Sequence, residues 1–340
     1  MQLEIIHTLP ELIALEKEWN DLLAQSASHV PFLRHEYITS WWQGLGGGEW
    51  THGKLFIVTA RQDQGKLVGI APLFQTDNRD GEPALMLVGS IEISDYLDVI
   101  ARPEDLPNFL EALLANLGNQ QVPGTHLLDL YNILDGSPTI PALQAASEKL
   151  GWNYSIQPLQ HCPYIPLPGD WEKYLSSVDK KQRHEIRRKM RRAEEYYLPL
   201  HWYLLQDGDK LDQEVDDLLK LMAHDADKAK FLTPAMRTQM HSIVRAAYDA
   251  GWLQLAFIEV NGEKAAAYLN FDYMNHIWVY NSGLDFRYGE LSPGWVLLAH
   301  LLEWANENKR QSFDFMRGDE QYKYRFGAVD RRVMRLTVRK

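Results

Sequence analysis

Leu253-Gln-Leu-Ala-Phe-Ile-Glu-Val260, the dipeptide Asn261-Gly262 and Lys264-Ala-Ala-Ala-Tyr-Leu-Asn-Phe271 decide how this chain folds. The two runs have the apolar content of strands, and Asn-Gly accepts the left-handed backbone that a tight hairpin demands. A third strand, His276 to Tyr280, extends the meander. Residues from Pro293 to about Asn306 then follow a helical period, and Phe313 to Met316 reads as one more short strand. The same order occurs earlier in the chain. Leu55 to Ala60, a turn at Asp63-Gln-Gly65 and Leu67 to Phe74 form a hairpin, and a strand Ala84–Val88 leads into Ile93–Ile100. A helix from about Asp105 to Leu117 and a strand from Thr125 to Tyr131 complete the set. Asp129 in Leu128-Asp-Leu and Asp314 in Phe313-Asp-Phe hold matching places. Two copies of one α/β (α+β) unit are therefore expected, over residues 1–160 and 161–340. Each would be a mixed, largely antiparallel sheet flanked by helices, with a right-handed β-α-β crossover. Ahead of the first copy, Leu3–Ile6 reads as a strand and Pro10–Ala24 as an amphipathic helix. A second helix ends in Gly44-Leu-Gly-Gly-Gly48, where no Lys-Ser/Thr follows to make a phosphate loop.

A length of 340 residues exceeds one ordinary core and agrees with two domains. Hydrophobic residues at 45% and charged residues at 24% suit a globular protein, and the net charge of −11 argues against DNA or general nucleic-acid binding, which needs a positive field. No apolar run approaches the roughly 20 residues that span a bilayer, which leaves only peripheral membrane contact. The lone Cys162 and the lack of a signal segment point to the cytoplasm. Cys162 reads as a buried thiol rather than a nucleophile. The 12 histidines are scattered with no metal-ligand spacing, so no metal is expected.

Near the end of the chain, Arg317-Gly-Asp-Glu-Gln-Tyr-Lys-Tyr-Arg325 concentrates three cations, two carboxylates and two phenols around Gly318. Placed after a strand, such a run can line a cleft at the strand's carboxyl end. With Phe326-Gly327 it resembles the terminal signature of the CelD-like, cellulose-biosynthesis-associated branch of the GNAT acyltransferase superfamily. The segment Asp179 to Glu195 is similar to the basic helix that opens the second domain of the Fem-type peptidoglycan aminoacyl transferases, which also carry tandem GNAT-like domains.

The resemblance implies acyl-CoA, with acetyl-CoA foremost, as co-substrate. It would be held at a glycine-bearing helix start after the fourth strand, where free N–H groups and the helix dipole attract phosphate. Here that place reads Phe286-Arg-Tyr-Gly-Glu-Leu-Ser-Pro-Gly294, so Arg287, Gly289, Ser292 and Gly294 are the cofactor candidates, although the spacing departs from the family motif and Glu290 adds a negative charge. The corresponding turn of the first copy, Ala101 to Pro107, has acids and no glycine, so the first copy is expected to shape the acceptor side. Between Lys180 and Arg192 stand eight cations and one acid, a local reversal of the overall charge. Arg187, Arg188 and Arg191 on this helix, with Arg317, Lys323 and Arg325, are candidates for holding an anionic substrate, and Asp319 is a further substrate-binding candidate.

Direct acyl transfer needs a base for the acceptor proton and an acid for the leaving thiolate. Asp95, with no cation beside it in sequence, and Asp319 or Glu320 are the base candidates; Tyr96, Tyr322 and Tyr324 are the candidate acids. These residues lead to an acyltransferase acting on an amine or hydroxyl of a sugar, nucleotide-sugar or amino-acid-derived envelope or polysaccharide precursor. Two alternatives remain: a Fem-like enzyme using aminoacyl-tRNA, disfavoured by the single short basic helix, and a non-catalytic GNAT-fold protein that binds an anionic glycan precursor.

Overall fold

The computed structural model describes residues 1–119 and 124–340, with the backbone alone for Asp63. The strands, in chain order, are β1 (Gln2–Ile6), β2 (Lys54–Arg61), β3 (Leu67–Asp77), β4 (Pro83–Leu87), β5 (Ile100–Ala101), β6 (Leu127–Leu134), β7 (Asn153–His161), β8 (Tyr164–Pro166), β9 (Leu200–Leu204), β10 (Leu253–Val260), β11 (Glu263–Tyr273), β12 (His276–Leu284), β13 (Ser312–Asp314) and β14 (Arg332–Arg339). They form two sheets, and the chain divides into two units: Met1–Gln160 with Arg332–Lys340, and His161–Arg331.

In the first unit the sheet order is β1-β2-β3-β4-β6-β14-β7, with β5 against β3. The second sheet runs β8-β13-β12-β11-β10-β9. The duplicated plan is plain in the pairing. β2-β3-β4 and β10-β11-β12 are antiparallel meanders. Each is followed by a helix, Leu106–Asn119 or Pro293–Glu307, and then by a strand parallel to the last of the meander, β6 beside β4 and β13 beside β12. Both units are thus mixed α/β sheets flanked by helices. The matching aspartates have matching surroundings. Asp129 is fully buried and paired twice with Arg335 at 2.7 Å, whose guanidinium lies 4.7 Å from the Tyr131 ring; Asp314 is buried and paired with Arg331, which lies 4.5 Å from the Tyr164 ring. A carboxylate removed from water requires such a partner.

Several expectations are corrected. The second half does not run as one body to residue 340: Arg332–Arg339 pairs with β6 in the first unit, where its Val333, Leu336 and Val338 are buried on either side of a register shift. The first amphipathic helix is two, Leu9–Ala14 and Glu16–Leu23. The stretch Ile93–Val99, into which the strand at Ala84–Val88 leads, is a loop, with β5 alone at its end. The glycine-rich end of the helix His35–Gly48 turns left-handed from Leu45 to Gly48, and a Cβ on Gly46 would stand 3.0 Å from the Trp41 indole nitrogen. That close approach accounts for a glycine there.

The core of the second unit forms where the helix Pro293–Glu307 lies on its sheet. Val296, Leu297, Leu298, Leu301, Leu302 and Ala305 are buried against Ala256, Ile258, Tyr268, Ile277 and Phe313. Among the described residues no helix is long and apolar enough to cross a membrane.

Candidate active site

The second unit carries a cleft whose origin is the length mismatch of two parallel strands. β13 pairs with β12 only at His276, Ile277 and Trp278, while β12 continues to Leu284. Beyond Trp278 the strands part, because Met316 at φ +54° and Gly318 at φ +110° turn the chain away from the sheet. A register shift in the β11–β12 ladder leaves Tyr280 as an extra residue and bends β12 at the same level. The opening is a cleft of about 220 Å³ lined by Tyr268 from β11, Ser282, Gly283 and Leu284 from β12, Gly294, Trp295 and Leu298 from the helix start, and Tyr322. Its walls are apolar with a few convergent polar groups, as expected of a ligand site.

Two tyrosines supply those groups, and a lysine donates to the backbone of one lining residue, Ser282. Tyr268 and Tyr322 hydrogen-bond to each other, and burial pushes the Tyr322 hydroxyl well above the usual phenol range, with Tyr268 and Glu320 adding to the shift. Both remain neutral and able to donate. Lys228, on the short helix Ala226–Phe231, donates to the Ser282 carbonyl at 2.5 Å, and burial lowers its pKa against the opposing pull of Asp225 and Glu320. The Trp295 indole N–H is buried and has no partner among the described residues.

The structure sorts the residues singled out in sequence. Tyr322 and Gly294 line the cleft, and Glu320 stands beside it. Glu320 occupies the N-cap position of the short helix Gln321–Arg325 without a side-chain capping bond, and its carboxylate folds over Gly318, where a Cβ would come within 2.6 Å of Oε2. Lys323 is not available to a substrate: its side chain is buried, and its ammonium donates at 3.0 Å to the carbonyls of Arg317 and Gly318 and pairs with Glu320 at 2.8 Å. It braces the turn, since three carbonyls and a carboxylate converge where a cation satisfies them all. Asp319 and Arg325 are exposed, and Arg317 is half-buried.

Arg287, expected as a phosphate ligand, is 69% exposed and engaged by neighbouring carboxylates. It donates twice to Asp285, at 2.9 and 2.7 Å, and once to Glu263, so the guanidinium serves its own turn. Phe286–Leu291 is a 3-10 helix, which removes the open loop that sequence suggested, and Ser292 adopts φ +52° without capping through its side chain. Gly289 meets nothing where a Cβ would stand and is not on the cleft. At the helix start Pro293 has no N–H, and those of Trp295 and Val296 both reach the Ser292 carbonyl, so Gly294 presents the N–H without a partner among the described residues. Glu290 accepts from the Tyr196 hydroxyl at 2.8 Å.

The helix Lys180–Glu194 forms as expected, with Asp179 capping it through the Lys181 and Gln182 amides. Its Ile186 and Ala193 are buried, and Lys189 sits 4.3 Å over the Trp295 ring. Arg187 pairs with Glu172 and Arg188 with Glu185. Asp95 and Tyr96 belong to the first unit. Asp95 is half-buried, whereas Tyr96 is 1% exposed and packed in that unit's core, which excludes it as a proton donor to substrate. Cys162 is fully buried. Tyr268, Trp295 and Lys228 were missed. Tyr268 was legible as the one hydroxyl-bearing side chain in Ala265-Ala-Ala-Tyr-Leu269; nothing in Asp225-Ala-Asp-Lys228 announces its lysine.

Residues 180–324 match the acetyltransferase (GNAT) domain family. This part of the chain is a GNAT-type domain. The match spans the cleft, the basic helix and most of the terminal run, and such a domain generally uses acyl-CoA to act as an acyltransferase. No curated protein matches the sequence significantly. Among solved structures, FemX superposes on 98% of this chain and 97% of its own with a TM-score of 0.67 at 10% identity. L-PGS from Bacillus licheniformis covers 95% of this chain and 91% of its own with a TM-score of 0.56 at 11% identity. A tandem GNAT protein from the clavulanic acid biosynthesis pathway covers 98% of both chains with a TM-score of 0.50 at 13% identity. These likenesses concern the fold, which is that of tandem GNAT-like proteins. Among the described residues no group of three or more His, Cys, Asp and Glu side chains could hold a metal ion.

Proposed function

We propose that the GNAT-type domain transfers an acyl group, acetyl foremost, from acyl-CoA to an amine or hydroxyl of a sugar, nucleotide-sugar or amino-acid-derived envelope precursor. The observation that carries this reading is the cleft between the parting ends of β12 and β13, with a helix start on one wall and a neutral tyrosine pair on the other. Its volume of about 220 Å³ suits a small acyl group and its thioester arm. The Gly294 N–H lies where a phosphate of the cofactor is favoured. The acceptor's lone pair attacks the thioester carbon, and a carboxylate takes the acceptor proton. In this unit Glu320 is that group, with Oε2 gripped by Lys323 and Oε1 left for the acceptor. Collapse breaks the C–S bond, and Tyr322 returns a proton to the thiolate. The terminal run from Arg317 to Gly327 supports placing the chain in the CelD-like branch.

Purified protein with acetyl-CoA and a panel of amino sugars, nucleotide-sugars and amino acids should release free thiol in step with acceptor consumption. Absence of acyl-CoA binding by calorimetry would refute the reading. Aminoacyl-tRNA as donor is the second reading, although the cationic helix Lys180–Glu194 offers tRNA only a short surface. Transfer that requires charged tRNA and ignores acyl-CoA would establish it instead.

A further inference from the structure

A second cleft, of about 500 Å³, lies apart from the tyrosine pair and is lined by Arg188, Arg191, Arg192, Glu195, Tyr196 and Tyr197. Three features distinguish it from a plain solvated face. The arginines stand three and four residues apart and so project from one side of the helix. Arg188 is held by Glu185, but Arg191 and Arg192 have no carboxylate partner among the described residues, in a chain whose net charge is −11. Tyr197 is 80% exposed and its ring centroid lies 4.5 Å from that of Tyr196, which Glu290 fixes through its hydroxyl. An open aromatic face beside two unpaired guanidinium groups is a recognition pair: the ring stacks a planar base, and the forks take phosphate oxygens.

We infer that this cleft binds a nucleoside phosphate, its phosphates on Arg191 and Arg192 and its base on Tyr197. Tyr196 of this cleft donates to Glu290, which precedes the helix Pro293–Glu307 by one turn, so the nucleotide can belong to the acyl donor or to a nucleotide-linked acceptor. The inference stands on this cleft's own residues. A nucleotide would bind here even if the Tyr268–Tyr322 cleft held no donor, so the failure of one reading is distinguishable from the failure of the other.

The test is calorimetric titration of the full chain with ADP, UDP and inorganic pyrophosphate at low and moderate salt. ADP or UDP should bind about tenfold or more tightly than pyrophosphate, the scale of one stacked base, and more weakly as salt rises. Tyr197→Ala should abolish that preference and leave pyrophosphate binding unchanged. The double variant Arg191→Gln/Arg192→Gln, at two exposed positions, should lower affinity for all three probes about tenfold or more with an unchanged melting temperature. Competition of ADP by coenzyme A identifies the donor as the source, and competition by a UDP-sugar identifies the acceptor. Equal affinity for ADP and pyrophosphate, unaltered ADP binding in the double variant, or displacement of ADP by single-stranded RNA alone would overturn the inference.

Discussion

Gly294→Asp tests the proposed donor site at one position. A Cβ at Gly294 would meet nothing nearer than Leu284 Cδ1 at 3.7 Å, an ordinary contact, and the residue lies in the first turn of the helix Pro293–Glu307. Replacing glycine there removes a helix penalty of roughly 0.5–1 kcal/mol, and an aspartate near a helix N-terminus adds roughly 0.3–1 kcal/mol in its favour. The fold should therefore be as stable as before or slightly more so. The carboxylate would stand where the cofactor phosphate approaches the free amide. Two unit charges about 4 Å apart near a protein surface repel by about 4 kcal/mol, and if solvent at this open mouth halves that, about 2 kcal/mol remains. This corresponds to a loss of about 30-fold in acyl-CoA affinity. Gly294→Ala, which adds the Cβ without the charge, should bind within about threefold of the parent, since the space is open. Calorimetry with acetyl-CoA and a thermal melt on each variant decide the matter. A Gly294→Asp protein that melts normally and binds acetyl-CoA as the parent does would refute the placement of the cofactor at this helix start.

Three further expectations follow from the same geometry. Glu320→Gln should lower kcat about 10²-fold with KM little changed, the usual scale for a positioned base, and an unchanged kcat would remove Glu320 from that role. Burial raises the Tyr322 pKa above the ordinary tyrosine value, so its active neutral form persists to higher pH. An alkaline fall in kcat due to Tyr322 must then lie above pH 10, and a tyrosine-like fall near pH 10 that Tyr322→Phe abolishes would contradict the assignment. Asp314→Ala leaves Arg331 without its buried partner and should cost about 3–5 kcal/mol in urea-monitored stability, while a loss below about 1 kcal/mol would show that the pair does not support the fold.

Much of the architecture was legible before any coordinates. Asn261-Gly262 dictates a hairpin by local backbone preference, the apolar spacing of Val296, Leu297 and Leu301 dictates a helix face, and Asp179 caps the basic helix where it should. Such signals act over a few residues and survive in the bare chain. The repeated order of elements carried the duplicated plan for the same reason. The return of Arg332–Arg339 to the first sheet was not legible, because a strand's alternation does not say which sheet it completes.

The candidate site divides along the same line. Composition alone marked the terminal run and the arginine helix as chemically unusual, and Tyr322 and Gly294 do face the cleft. Which of their neighbours can act was decided by packing. Lys323 and Arg287 look like anion ligands in sequence, yet one is consumed by backbone carbonyls and the other by Asp285, since a cation near a tight turn is drawn to the acceptors the turn exposes. Tyr268, Trp295 and Lys228 are separated from Tyr322 by 27 to 94 positions and share a cleft or its margin with it only because β12 outruns β13 and a helix starts in the gap. Local sequence determined that the chain would form these strands and helices; tertiary structure alone decided which polar groups were left unpaired around one cavity, because that depends on partners brought in from distant elements.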